Sequence, residues 1–263
     1  MKFIYKVIPD IFADIQDNDD PRIEQVLPRF GLLDTTPARW ENLKRRISEL
    51  NEAGTESSTT YRVLFIGRHG EGYHNCAMET YGREAWRNYW SKLMDKPWGP
   101  DPLLTDVGTE QAYNVNSIWK QELSAGIPIP EGFYSSPLSR AIQTALISFE
   151  EIAFPSGNNA AVAPKALIME KLREGNYHQH TCNMRRTRSF IKETYPQFEI
   201  EEGFTEDDVF WNNKCTETED SLRNRVREGL DEIFEKDKSW CELCWVSPRG
   251  TLGDILLFIE IFL

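Results

Sequence analysis

Arg68, His69 and Gly70 come directly after the apolar run Val63, Leu64, Phe65 and Ile66, with Gly67 as the break between them. A short run rich in β-branched and aromatic residues that opens into polar residues reads as a buried strand emptying into a loop. Ligands of open α/β sheets bind beyond the carboxyl ends of the strands, so Arg68 and His69 stand where a substrate would meet them. There an imidazole can attack or carry a proton, and a guanidinium can grip an anion. The alternative is a histidine that is no more than a polar residue at a strand end. A second cation, Arg140, stands four residues after Ser136-Pro137, a pairing that reads as helix cap and first turn. Its alternative is a surface arginine.

The elements that would position these residues follow from periodicity. After Thr36-Pro37, Trp40, Leu43, Ile47 and Leu50 recur at helical spacing and stop near Gly54. Residues 76–94 read as a helix carrying Trp86, Tyr89, Trp90 and Leu93, followed by a proline-rich loop over 95–102. Thr105 caps a helix to about Leu123, and a further helix from Pro137 presents Leu138, Ile142, Ala145, Leu146 and Phe149. Residues 133–135, 166–169 and 240–246 read as strands, 221–234 as a helix, and the stretch from Thr251 as a packed terminal helix. Residues 1–36 read as irregular, their acidic run as a solvated loop. Residues 171–218 form a long polar excursion with one helix near 185–195. Strands alternating with helices, with no fixed repeat, predict an α/β fold: a three-layer α/β/α sandwich with a mostly parallel central sheet. We read 1–263 as one domain, with 1–60 as an N-terminal extension packed on it and 171–218 as a lid-like insertion.

The whole chain excludes several classes. Its 263 residues, 40% hydrophobic and 27% charged, suit a globular domain rather than a disordered or fibrous chain. A formal charge of -12 repels nucleic acid and acidic membrane surfaces, so any anion site has to be a local basic pocket. The longest apolar stretch, residues 255–263, is interrupted by Glu260 and is far shorter than the roughly 20 residues a membrane span needs. Five scattered cysteines and no apolar leader point to reduced thiols and a cytoplasmic location.

Three blocks of the chain resemble the histidine phosphatases, the phosphoglycerate mutase-like superfamily. They are Arg68-His69-Gly70 with Asn75, residues 102–112 (PLLTDVGTEQA), and residues 136–145 (SPLSRAIQTA). The likeness narrows to the fungal phosphomutase-like branch through FGLLD at 30–34, GEGYHN at 70–75, Leu172-Arg173-Glu174, His180-Thr181-Cys182 and Arg185. The resemblance implies that His69 is a nucleophile passing through a phosphohistidine, that Arg68, Asn75 and Arg140 hold the phosphate, and that Glu174 gives the leaving group its proton. It implies no cofactor and no metal, and a small anionic substrate. The physical reading agrees: a phosphoryl group spreads nearly two charges over three oxygens, which two guanidiniums clamp and a helix N-terminus can favour. Glu174 as a solvated loop carboxylate is the alternative.

One block departs from that pattern. Where the family has a second histidine after its last strand, this chain has Pro248-Arg249. Losing one such preorganised donor costs about 10²- to 10³-fold in rate. His180 or Arg249 could compensate, and with Arg185 they form a second set of substrate or lid candidates. A fold turned to phosphate-free acid/base chemistry, or kept only to bind, is the rival reading. His74, His178, His180 and Cys182 could also be grouped as zinc ligands, but the phosphatase-like loop already accounts for them. Core packing accounts better than a substrate pocket for Trp86, Tyr89, Trp90 and Trp98.

Overall fold

A computed structural model describes residues 3–13, 26–54, 59–155, 165–176, 179–211, 216–236, 241–245 and 256–262. Seven strands form one sheet: β1 (Ile4–Val7), β2 (Thr59–Gly67), β3 (Gly132–Ser135), β4 (Lys165–Ile168), β5 (Glu199–Ile200), β6 (Cys241–Trp245) and β7 (Leu256–Phe262). Their order is β1-β7-β2-β6-β3-β4-β5. The five strands from β2 to β5 in that order run parallel, and β7 lies antiparallel between β1 and β2. Parallel neighbours need crossovers, and the helices supply them: α2 (Tyr73–Tyr81), α3 (Arg83–Asn88) and α4 (Asp106–Leu123) between β2 and β3, α5 (Ser139–Ser148) between β3 and β4, α6 (Arg188–Thr194) between β4 and β5, and α7 (Glu219–Lys236) between β5 and β6.

Alternation along the strands produces the layers. Val63 and Phe65 of β2 and Phe133 of β3 face a core shared with α4, α5 and α1 (Arg39–Ala53), through Trp119, Ile142, Trp40, Leu43 and Ile47. Leu64 and Tyr134, one step along the same strands, face the other way onto Leu230, Ile233 and Phe234 of α7. A period of two sends neighbours to opposite faces, so both faces are covered and the three-layer sandwich follows. In the first layer, the Trp119 ring centre lies 4.7 Å from that of Phe30, 5.0 Å from Phe65 and 4.9 Å from Phe149, in tilted and edge-on contacts. Buried Glu122 ties α4 to α1, accepting from Trp40 Nε1 at 2.7 Å and Arg39 Nε at 2.8 Å.

Four expectations are corrected. The terminal apolar run is β7, not a helix; a short continuous apolar run has no helical period, and here its backbone is satisfied by β1 on one side and β2 on the other. The N-terminal 36 residues include a strand, β1. The helix expected over 76–94 is broken at Gly82, whose φ of +80 only glycine adopts readily, into α2, α3 and a single 3-10 turn. The helix expected from Pro137 begins at Ser139. Pro248, Arg249 and His178 lie outside the described residues. Among the described residues no helix is long and apolar enough to cross a membrane.

Glu122→Ala strands a buried indole N–H and an arginine that is 15% exposed. Breaking one partner of such a group should cost about 3 kcal/mol and lower the thermal midpoint by roughly 6–12 °C. A calorimetric shift under about 2 °C would show that the clamp is ornamental.

Candidate active site

The carboxyl ends of three parallel strands meet: Gly67 of β2 and Ser135 of β3 both pair with Trp245 of β6. Residues 68–72 leave β2 there and are locked from three directions. Gly70 N donates to Thr144 Oγ1 at 3.1 Å, Glu71 N to Gln111 Oε1 at 2.7 Å, and Thr105 N to the Glu71 carbonyl at 2.9 Å. Thr105 Oγ1 reaches Glu71 Oε1 at 2.7 Å while also capping α4 through Gly108 N at 3.1 Å. The loop and the first turn of α4 touch through bare backbone, because a Cβ on Gly108 would collide with the Glu71 backbone and one on Gly70 with the Gly108 carbonyl.

This lock presents His69. The ring is 7% exposed, and its Nδ1 lies 2.6 Å from the Gly70 carbonyl oxygen. A carbonyl only accepts, so Nδ1 carries the proton and Nε2 keeps its lone pair. Burial, then Arg140, then Arg68, hold the imidazole well below its ordinary pKa, against the smaller opposing effect of the Gly70 hydrogen bond. Arg140, the second residue of α5, is fully buried; its Nη1 donates to the Cys182 carbonyl at 2.8 Å and its Nη2 to Glu174 Oε2 at 2.6 Å and Asn183 Oδ1 at 3.4 Å. A nitrogen of His69, a nitrogen of His74 and a carboxylate oxygen of Glu174 lie within 4.8 Å of one another. Two imidazoles and a carboxylate could hold a divalent metal, but this carboxylate already neutralises part of the Arg140 charge. The remaining potential favours an anion.

The sequence model of the Histidine phosphatase superfamily (branch 1) matches residues 90–252, more than half of the chain. This chain belongs to the histidine phosphatase superfamily. Among curated proteins it is 34% identical over 251 residues to a "Probable phosphoglycerate mutase" of Arthroderma benhamiae, covering 89% of this chain and 73% of the relative. It is 32% identical to "Probable phosphoglycerate mutase PMU1" of Saccharomyces cerevisiae over 67% of this chain and 64% of the relative. It is 32% identical to "Phosphomutase-like protein 3" of Candida albicans over 66% of this chain and 52% of the relative. The chain therefore spans about half to three quarters of the length of these fungal proteins.

In this chain His69, Arg140 and Glu174 come together, and the other expected residues sort around them. Asn75 Oδ1 accepts from Gly72 N at 2.9 Å, closing the first turn of α2, and Arg68 is exposed. Arg185 is committed elsewhere: Nε donates to Glu170 Oε2 at 2.8 Å, Nη1 to the Glu206 carbonyl at 3.2 Å, and Nη2 to the Thr205 carbonyl at 3.0 Å, with the guanidinium over the Phe204 ring. Each nitrogen is occupied, which leaves it no donor for a substrate. Glu170 is spent on Arg185 and Arg173, and that distinguishes it from Glu174. His180 stands edge-on to Trp86 at 5.8 Å, beside the aromatic group of Tyr81, Trp90 and Trp98.

Three features take places around the site that the sequence reading did not give them. Asp101 caps α5, accepting from Ser139 N at 2.8 Å and Ser139 Oγ at 2.7 Å, so the helix end expected to face the phosphate already holds a carboxylate. Burial raises the Asp101 pKa, with the Ser139 hydrogen bonds opposing. Cys182 and Asn183 bring backbone and amide oxygens to Arg140. His74, considered only as a zinc ligand, lies 5.4 Å from His69 between ring centres; its place in the first turn after the loop was the available signal.

Gly108→Ala leaves the helix dihedrals allowed and drives a methyl into the Glu71 backbone. Such overpacking should cost about 1–3 kcal/mol, and the displaced loop should weaken tungstate binding at least about tenfold, since small misplacements of a site are expensive. Unchanged urea midpoint and tungstate affinity would show that the glycine contact does not set the loop.

Proposed function

We propose that this chain is a phosphatase that hydrolyses a small phosphorylated molecule through a phosphohistidine on His69. The observation that carries the reading is the Gly70 carbonyl on Nδ1, in a ring kept neutral beside Arg140. Nε2 attacks phosphorus, the N–P bond forms, and the P–O bond to the leaving group breaks. The departing oxygen takes its proton by way of the Glu174 carboxyl group. Water then attacks the phosphohistidine, gives its proton to the Glu174 carboxylate, and frees Nε2. Arg140 and Arg68 hold the non-bridging oxygens, and Asn75 keeps the loop turn at the right pitch.

The substrate is anionic and small, and the -12 net charge keeps nucleic acid from being a partner. The segment 171–218 is the cover of the site, a role favoured by its Cys182 and Asn183 contacts with Arg140. Reduced Cys76 and Cys182 suit a cytoplasmic location. The relatives named as phosphoglycerate mutases suggest phosphorylated hydroxy acids among the substrates to test; a mutase would return the phosphoryl group to a second hydroxyl instead of water. Pro248 supports a second reading, in which phosphoryl transfer is silenced and the pocket binds or serves acid/base chemistry.

Hydrolysis of an aryl phosphate and of 3-phosphoglycerate by the protein, by Pro248→His and by His69→Ala separates these. Turnover that dies in His69→Ala supports the phosphatase; turnover by Pro248→His alone supports the second reading. An unperturbed imidazole is half protonated at about pH 6.5. With the His69 value lowered, the attacking form persists below that pH, so the acid limb of phosphohistidine formation should lie below pH 6.5. A limb at or above 6.5 would remove His69 as the nucleophile.

A further inference from the structure

His74 is the second residue of α2 and is as buried as the nucleophile, 7% exposed in each case. Burial first, then Arg140, His69, Arg68 and His180, push its pKa well below the ordinary imidazole value. A neutral imidazole always carries one N–H and one lone pair. Its Nδ1 has no hydrogen-bond partner among the described residues and is sealed from solvent. Buried polar atoms of this kind ask for an explanation, and no group among the described residues fixes the ring proton at that nitrogen.

Packing holds the ring where it is. Gly72, with φ of -104 and ψ of 160, has a backbone that any residue adopts, so its lack of a side chain is not a matter of conformation. A Cβ there would lie 2.8 Å from His74 Nδ1 and 2.9 Å from Cε1. The space that glycine leaves is the space that the imidazole fills. A nitrogen of that imidazole then lies within 4.8 Å of ligand atoms of both His69 and Glu174. Such a span puts an oxygen of a phosphoryl group attacked by His69 within reach of a donor on His74, which would sit about 2.7–3.0 Å from the oxygen it binds.

We propose that His74 is a further catalytic residue, donating its N–H to a non-bridging oxygen of the phosphoryl group while His69 attacks. The inference rests on the phosphatase reading for the reaction, though not for the anion site itself. A neutral donor suits the place. It stabilises charge that grows in the transition state without adding a third cation beside Arg68 and Arg140. It belongs to α2, far in sequence from Pro248, and supplies a histidine donor in a chain that has proline at that position.

The test compares the protein with His74→Ala, His74→Gln and Gly72→Ala. Gln restores an N–H near the same depth, and Gly72→Ala displaces the ring without removing it. Tungstate, a tetrahedral oxyanion, is titrated calorimetrically, and kcat and KM are measured with an aryl phosphate. His74→Ala and Gly72→Ala should each weaken tungstate about tenfold or more and lower kcat by about 10²-fold with a smaller change in KM, at unchanged far-ultraviolet circular dichroism. His74→Gln should recover part of both losses. A purely structural His74 would lower the thermal midpoint and leave tungstate affinity and the kcat-to-KM split unmoved, which overturns the proposal. If the protein binds tungstate through His74 yet forms no phosphohistidine, the phosphatase reading falls and the His74 site stands. If turnover through His69 is intact in His74→Ala, the reverse holds.

Discussion

A guanidinium taken wholly out of water has to find acceptors for its N–H groups, and the arrangement around Arg140 is organised by that requirement. Nη1 and Nη2 are met by the Cys182 carbonyl, Asn183 Oδ1 and Glu174, all from the segment after β4. The cost of burying the charge is thereby converted into a tie between α5 and that segment. Asn183 Nδ2 in turn donates to the Gly175 carbonyl at 2.8 Å, so the residues on either side of Glu174 are held from the same point. The acid expected to serve the leaving group is positioned by the cation expected to hold the phosphate.

A second constraint is closeness of backbone. Residues 68–72 must lie flat against the start of α4 for His69 to face α5, and Gly70 and Gly108 are the two places where a side chain would prevent it. Once the backbones touch, Thr105, Gln111 and Thr144 each find a partner in the loop. Spacing within residues 102–112 is then a consequence of helix geometry: Thr105 caps, Gly108 sits one turn on, and Gln111 lies a further turn along the same face.

Much of this was legible in the residues. The strand ending at Gly67, the helix capped by Thr105, the helix carrying Arg140 and the layered α/β architecture follow from apolar period and punctuation. What misled were places where tertiary context overrides period. Residues 256–262 have no helical rhythm and no strand alternation, and only the vacant edges of β1 and β2 decide between them. Arg185 entered as a substrate or lid candidate through its likeness to the fungal branch, which says nothing of its acceptors. Its acceptors, Glu170 and the carbonyls of 205–207, lie some 15 residues or more away in either direction and leave no local trace. The places of Asp101 and His74 beside the site were not legible for the same reason: each acquires its meaning from a partner on another element, Ser139 for one and His69 for the other.

Binding and nucleophilicity are not separable here. A nucleophilic histidine is useful only while its attacking nitrogen is unprotonated, and a pocket for a dianion would, once filled, draw protons toward it. Arg140 acts on both sides of that conflict. In the proposed reaction it offers positive charge to the phosphoryl oxygens, and after burial it is the largest influence lowering the His69 pKa. Arg68 repeats the pattern from the exposed side. Removing Arg140 would therefore weaken the hold on the anion, relax the protonation of the nucleophile and release Glu174 together. Those losses share one cause and cannot add as independent terms. The acidic surface sharpens the point: in a chain of charge -12, buried Arg140 and exposed Arg68 set the local sign of the field, and their placement beyond the carboxyl ends of β3 and β2 makes that one region receptive to an anion.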